Sequence, residues 1–295
     1  MSHTGFGAEA EAESDQVELD KSTLDKGVLG KATSYPSTYT PSLLHSLLRA
    51  DTRREAGLST VVTAAVKGED LWTGYEFSWL DNQGKPMVAA LRLRIPCQSD
   101  AVVESKSLKL YLNSYAQTRF DTRAEVLRTL DGDLSLAFRS PILVELIDLQ
   151  QLNVDVAQLS GMCLDDLDVF IKTYERDPQL LALEESEVEV SEAFYTDLFR
   201  SLCPVTGQPD WASVAVEYTG PAIQRDSLLR YLVSYRNHQA FHETTIEQIY
   251  ADLLNRCKPR RLSVYGRFQR RGGLDINPIR ANYAISAPVA RLPRQ

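Results

Sequence analysis

The sequence predicts an α+β fold built twice, each unit an antiparallel sheet with helices packed on one face. Three observations carry this. A strand-like stretch opens each half, and an amphipathic helix with apolar residues at i, i+3, i+4 and i+7 follows in each. Strand-like sequence then returns after the helix. At about 150 residues per domain, the 295-residue length suits two units. The 43% hydrophobic content is enough to bury a sizeable core.

Taken in chain order, residues 1–35 begin with six acids and no Lys or Arg among the first twenty, and they show no sustained period. They read as a flexible acidic arm. The first module is expected over 36–165. In it, Tyr75–Trp79 and Val88–Ile95 flank Asn82-Gln83-Gly84-Lys85, a hairpin signal. Leu108, Tyr111, Leu112 and Tyr115 then share one face of a helix. From Asp165 to Glu192 ten acids stand against Lys172 and Arg176, around Asp177-Pro178, so 166–190 reads as an acidic linker. The second module is expected over 191–295. Trp211–Tyr218 alternates as a strand does, Ile246, Ile249, Tyr250 and Leu253 share a helix face, and Arg261–Phe268 is strand-like again. On this reading Glu104-Ser105 and Glu243-Thr244 occupy equivalent places, each opening the helix of its module.

Charge is uneven. The formal net charge is −8, yet Arg256–Gln295 holds ten basic residues and one acid, Asp275. The overall balance disfavours a generic nucleic-acid coat. The basic segment either faces an anion, be it phosphate, nucleic acid or an acidic surface, or is a solvated edge strand and tail. No run of about 18 apolar residues exists, which excludes a membrane-spanning helix. The acidic start does not match an export signal. Cys97, Cys163, Cys203 and Cys257 form no paired framework, so reduced thiols and a cytoplasmic location are expected. No GxGxxG follows a strand, and neither GxxxxGK[ST], HExxH nor paired CxxC occurs. A Rossmann cofactor fold and a metal site therefore lack support.

Chemistry concentrates in two places. Cys203-Pro204-Val205-Thr206-Gly207-Gln208-Pro209-Asp210 packs two prolines and a glycine around one thiol. Such a loop can present a sulfur rigidly, with Asp210 returning at the mouth of the next strand. A thiol needs help to ionise, and a carboxyl group is a natural partner for moving its proton. The plain alternative is a buried structural cysteine beside a turn aspartate. Phe241-His242-Glu243 stands at a helix start, where backbone donors and the dipole favour a carboxylate. Such a carboxylate can accept two hydrogen bonds from an N–H/NH2 edge. Equally, Glu243 can be an ordinary first-turn acid, and so can Glu104, while His242 can be a cap or a proton carrier.

Glu104-Ser105-Lys106-Ser107-Leu108-Lys109-Leu110-Tyr111, the Cys203–Asp210 loop, Phe241-His242-Glu243 and Arg270-Arg271-Gly272-Gly273-Leu274-Asp275-Ile276-Asn277-Pro278 together resemble the NADPH-dependent 7-cyano-7-deazaguanine reductases. These are the nitrile reductases of queuosine biosynthesis, a tRNA modification. The order, with Glu-Ser-Lys before the cysteine, resembles their long two-module form. The resemblance implies two tandem tunnelling-fold (T-fold) modules in a homodimer. It also implies reduction of the nitrile to 7-aminomethyl-7-deazaguanine with two NADPH, and no metal or flavin. Cys203 would be the nucleophile forming a thioimide, Asp210 the proton donor, and His242 a group for proton transfer or orientation. Val103, Glu104, Ser105, Phe241, His242 and Glu243 would bind the deazapurine. Ser105, Lys106, Arg271 and Gly272 would contact NADPH. Neither a nucleic acid nor a membrane is expected as a direct partner.

Two rival readings are a T-fold cyclohydrolase acting on a pterin or GTP, and an RNA-binding protein using the Arg-rich tail. The first would need zinc ligands near Cys203, and Cys163 and Cys257 show no such spacing. The second would need strongly salt-dependent RNA affinity.

Overall fold

The computed structural model describes residues 35–152, 156–186 and 188–295. Except for Tyr35, the acidic arm expected over 1–35 lies outside them. The elements run β1 (Ser46–Leu48), α1 (Arg49–Glu55), α2 (Thr60–Ala65), β2 (Lys67–Leu80), β3 (Pro86–Pro96), β4 (Ala101–Val103), α3 (Ser105–Ser114), α4 (Arg123–Phe138) and β5 (Leu143–Ile147). They continue with β6 (Met162–Cys163), β7 (Glu189–Leu202), β8 (Pro209–Pro221), α5 (Arg225–Val233), α6 (His242–Cys257), β9 (Arg261–Phe268) and β10 (Leu274–Ala281). The α+β class expected from the sequence is the class observed.

Eight strands form one sheet in the order β5-β3-β2-β10-β9-β8-β7-β6, and β1 pairs with β4 apart from it. All neighbours in the large sheet are antiparallel except β6 and β7. Alternation along the strands sends successive side chains to opposite faces. One face carries two cores. Trp72, Leu91 and Leu93 pack with Leu108, Tyr111, Val126 and Leu130 in the first. Val214, Val216 and Val264 pack with Leu228, Leu232, Ile246 and Ile249 in the second. On the other face Leu71, Ala215, Tyr265 and Ile279 meet Ala287 of the tail.

The duplication is real, but its register is not the one the helix pattern suggests. Both β2 and β7 are 14 residues long. Each breaks pairing at the same offset, between Gly74 and Phe77 and between Thr196 and Phe199. In α3, Tyr111 and Tyr115 share a hydroxyl contact of 2.7 Å, and Tyr111 donates to Asp133 of α4. In the second module Tyr231 and Tyr235 repeat that contact at 2.9 Å, and Tyr231 donates to Asp252 of α6. Helix α3 therefore corresponds to α5, and α4 to α6. Glu104 is the counterpart of Gln224, not of Glu243, whose counterpart is Ala124. The i, i+3, i+4, i+7 pattern misleads because any helix buried on one side shows it. The distinguishing signal is Tyr111-Leu112-Asn113-Ser114-Tyr115 against Tyr231-Leu232-Val233-Ser234-Tyr235.

The acidic stretch ahead of β7 packs onto the second module. Arg176 bonds Asp252 at 2.7 Å, and the main-chain N–H of Asp177 donates to Ser234. The modules meet where β10 pairs with β2, register Gly68 against Arg280. Gly68 has φ +124, and a Cβ there would stand 2.1 Å from the Ile279 carbonyl oxygen. A side chain at 68 is thus excluded by both backbone conformation and space. Gly68→Ala is expected to destabilise the chain by about 3 kcal/mol or more, read as a lowered urea midpoint. A midpoint within error of the parent would contradict this account of the seam.

The basic C-terminal segment divides between the interior and the surface. Arg280 is fully buried and Arg267 nearly so. Arg267 donates to the side-chain oxygen of Gln295 and to Tyr265, and Arg280 to Glu247. Two of the ten basic residues are thus sealed inside the fold, while Arg256, Lys258, Arg260, Arg261 and Arg294 stay exposed.

Candidate active site

The β7–β8 turn and the start of α6 bring the second-module residues together. In the turn the Cys203 N–H donates to the Gln208 carbonyl at 2.9 Å, and Gly207, at φ +66, donates to the Cys203 carbonyl at 3.0 Å. The turn holds residue 203 at the end of a strand, half-buried, with a free thiol. Asp210 is the second residue of β8, pairs with Ser201 and is buried. Its Oδ1 lies 3.3 Å from His242 Nε2 and makes an ion pair with Arg271 Nη2. The His242 ring stacks on Phe268 with centroids 3.9 Å apart, which fixes its plane.

The pairing is incomplete in a telling way. His242 Nδ1 and Arg271 Nη1 are buried without a hydrogen-bond partner among the described residues, as is Ser201 Oγ, opposite Asp210 in the β7–β8 pair. Buried polar atoms are normally satisfied, so a molecule bound here would find donors without partners.

The first module contributes through α3. Glu104 is its N-cap, and its carboxylate accepts from the N–H groups of Lys106 at 2.8 Å and Ser107 at 2.7 Å. Each oxygen keeps further lone-pair capacity. Val103 is buried in β4, while Ser105 and Lys106 are half-buried in the first turn of α3. Lys109, one turn further on, comes to the Arg271–Gly272 turn. A Cβ at Gly272 would lie 3.8 Å from Lys109 Nζ. Burial and Arg271 push the Lys109 ammonium down, against Glu104, Asp210 and Cys203, which favour its charge. Lys109 is thus a site neighbour outside the set of binding residues expected from the sequence. Its i+4 position from Ser105 is the signal that could have placed it there.

Phe241 is the half-buried N-cap of α6, and Glu243 is buried in the first turn. Burial and Asp70 push the Glu243 carboxyl up, with His242 and Arg49 acting the other way. Gly272 is exposed at φ +59. Of the other thiols, Cys97 and Cys257 are buried, and Cys163 sits on β6 pairing with Tyr195 of β7.

The residues fit an anionic dinucleotide. Lys109 and Arg271 crowd one edge, the latter with an unpartnered buried Nη1. A phosphate would relieve the mutual repulsion of these cations, and exposed Gly272 admits close approach.

Residues 35–146 match a family described as nitrile reductase, 7-cyano-7-deazaguanine-reductase N-terminal, and residues 209–286 match one described as QueF-like protein. An NADPH-dependent 7-cyano-7-deazaguanine reductase of Burkholderia multivorans is 47% identical over 90% of this chain and 96% of its own length. One from Burkholderia ambifaria is 46% identical over the same shares. Among solved structures, an archaeosine synthase QueF-like protein in the apo form aligns with 35% of this chain and 100% of its own, at 18% identity and a TM-score of 0.29.

Proposed function

The chain belongs to the NADPH-dependent 7-cyano-7-deazaguanine reductases, and from that membership we propose how its residues divide the work. It is an oxidoreductase that uses NADPH. The reading is that it converts the nitrile of 7-cyano-7-deazaguanine to the primary amine 7-aminomethyl-7-deazaguanine, as a step of queuosine biosynthesis. The observation that carries the site assignment is Asp210, buried beside the Cys203 turn, meeting His242 and Arg271 at one oxygen while His242 Nδ1 and Arg271 Nη1 stay buried without a partner.

Cys203 attacks the nitrile carbon. A sulfur–carbon bond forms, one carbon–nitrogen π bond breaks, and the thiol proton passes by way of Asp210 to nitrogen, leaving a thioimide. His242, its ring held flat on Phe268, orients that proton path. Glu243 accepts hydrogen bonds from the N–H/NH2 edge of the ring, with Val103, Glu104, Ser105 and Phe241 completing its walls. Ser105, Lys106 and Arg271, joined by Lys109, hold NADPH at the Gly272 turn; when bound, it supplies hydride, two electrons at a time. Hydride added to the thioimide carbon, with the carbon–sulfur bond breaking to return the Cys203 thiolate, would leave an imine. The burial of Asp210 and Glu243 favours a dry site in which the imine would not hydrolyse to an aldehyde. A homodimer in the cytoplasm acting on a small molecule completes this reading. No helix among the described residues is long and apolar enough to cross a membrane.

The cyclohydrolase alternative gives way to the reductase relatives. The RNA-binding alternative loses two of its arginines, because Arg267 and Arg280 are buried, and it too gives way to the reductase relatives.

The duplication limits the stoichiometry. At the first-module positions matching Cys203, His242 and Glu243 stand Asp81, Arg123 and Ala124, which carry no nucleophile and no recognising carboxylate. The expected result is two NADPH oxidised per amine released, and one covalent adduct per chain by mass spectrometry when NADPH is withheld. Two adducts per chain, or a ratio of one NADPH, would overturn the assignment.

A further inference from the structure

On the face of the sheet that meets the tail, a line of hydrogen-bonded side chains joins the two modules behind the turn that carries Arg271. Gln295 stands at its centre and is buried. Its Oε1 accepts from Arg267 Nε at 2.8 Å, from Arg267 Nη2, and from the Leu292 N–H at 3.2 Å. Its Nε2 donates to the Phe268 carbonyl at 3.0 Å and to Asn277 Oδ1 at 2.7 Å. Asn277 Nδ2 in turn donates to Asp275 Oδ1, and the Tyr75 hydroxyl donates to Asp275 Oδ2, each at 2.8 Å. The line thus runs from β9 through Gln295 and β10 to β2 of the first module.

Its direction is fixed by chemistry. A guanidinium only donates, so Arg267 takes the Gln295 oxygen; a carbonyl only accepts, so Phe268 takes the amide NH2. Both ends of the line reach the β9–β10 turn. Phe268, held by its carbonyl, carries the ring on which His242 stacks, and it leads into residues 269–273. Tyr75 holds the far side of the turn. Its N–H donates to the Gly273 carbonyl at 2.8 Å, and the Arg270 guanidinium lies over its ring, 4.5 Å from the centroid. Between these two anchors stands Arg271, paired with Asp210. A buried and fully paired polar line rigidifies what it joins. None of Gln295, Asn277, Asp275 and Tyr75 belongs to the set assigned to substrate or cofactor.

We propose that Gln295 is a positioning residue for cofactor binding, acting through the turn that follows Phe268 to hold the Arg271 guanidinium where it meets both Asp210 and NADPH. Tyr75 serves the same turn from the first module. The inference rests on the reading of Arg271 as a cofactor contact.

The test is steady-state kinetics of the full-length protein at saturating 7-cyano-7-deazaguanine, read as the KM for NADPH. Gln295→Leu keeps the bulk and removes every bond of the amide. It should raise that KM by about tenfold, the scale of a contact misplaced rather than removed. The nitrile concentration that half-saturates adduct formation without NADPH should stay at its parental value, because Glu104 and Glu243 stand at the starts of α3 and α6, outside the line. In an Arg271→Ala background Gln295→Leu should add nothing to the KM for NADPH, since the group it positions is gone. An unchanged KM in the single variant would overturn the inference. So would a loss shared equally by nitrile and NADPH, which is general damage, or an increase that persists undiminished in the Arg271→Ala background. Should Gln295→Leu not fold, Tyr75→Leu strips the other anchor and decides alone by the same three measures. If Arg271→Ala by itself leaves the KM for NADPH at its parental value, the assignment of Arg271 fails instead.

Discussion

Cys203→Ala is expected to show no covalent adduct when mixed with 7-cyano-7-deazaguanine without NADPH, whereas the parent gains the full mass of the nitrile. Addition across a triple bond expels nothing, so the mass gain equals the whole reagent. This separates addition from displacement. The reason lies in the turn. Its two main-chain bonds present Cys203 half-buried at the strand end, in the same charged group as Asp210 and Lys109. Asp210→Asn keeps shape and loses the proton carrier, and should slow adduct formation by about 10²- to 10⁴-fold. An adduct that persists in Cys203→Ala, carried by half-buried Cys163 for example, would contradict the proposed chemistry.

Glu243→Gln is expected to weaken binding of the same compound by about tenfold to a hundredfold. That corresponds to one charged hydrogen bond at about 1.5–3 kcal/mol. The substituted amide would also turn an NH2 toward a donor edge. The pH dependence has a definite sign. Burial and the Asp70 charge raise Glu243 above the ordinary range, outweighing His242 and Arg49. The carboxylate is the binding form, so affinity is full above that raised value and is lost as pH falls through it. In Glu243→Gln this acid limb should vanish. Affinity that rises on acidification would point to a protonated Glu243 acting as donor, the opposite recognition.

Parts of this molecule are legible before folding. The hairpin around Gly84 is there, with Asp81 Oδ1 accepting from the N–H groups of Gln83 and Lys85 at 2.9 Å each. Buried helix faces Leu108/Tyr111 and Ile246/Ile249/Tyr250/Leu253 are readable because burial on one side imposes a 3.6-residue period. Helix α5 is open to the same reading, since Leu228, Tyr231, Leu232 and Tyr235 repeat the spacing of Leu108, Tyr111, Leu112 and Tyr115, although its start lacks a side-chain cap. The repeat is written in the two Tyr-Leu-x-Ser-Tyr segments, yet the wrong helix pair looks equivalent, since amphipathic spacing says where a core lies and nothing about which helix is which.

By itself the sequence determined the fold class, the two-unit plan and the residue types at the candidate site, because period, turn chemistry and short motifs are local properties. Tertiary structure decided what those residues meet. Arg271 lies 61 positions from Asp210 in the chain and pairs with it only because β9 lies against β8 and leads into the Arg271–Gly273 turn. Lys109 reaches the same place because β10 zips onto β2 across the modules. The basic tail count could not say that Arg280 is sealed against Asp70 and Glu247. Charge partners are chosen by distance through space, and only the register of the sheet sets that distance.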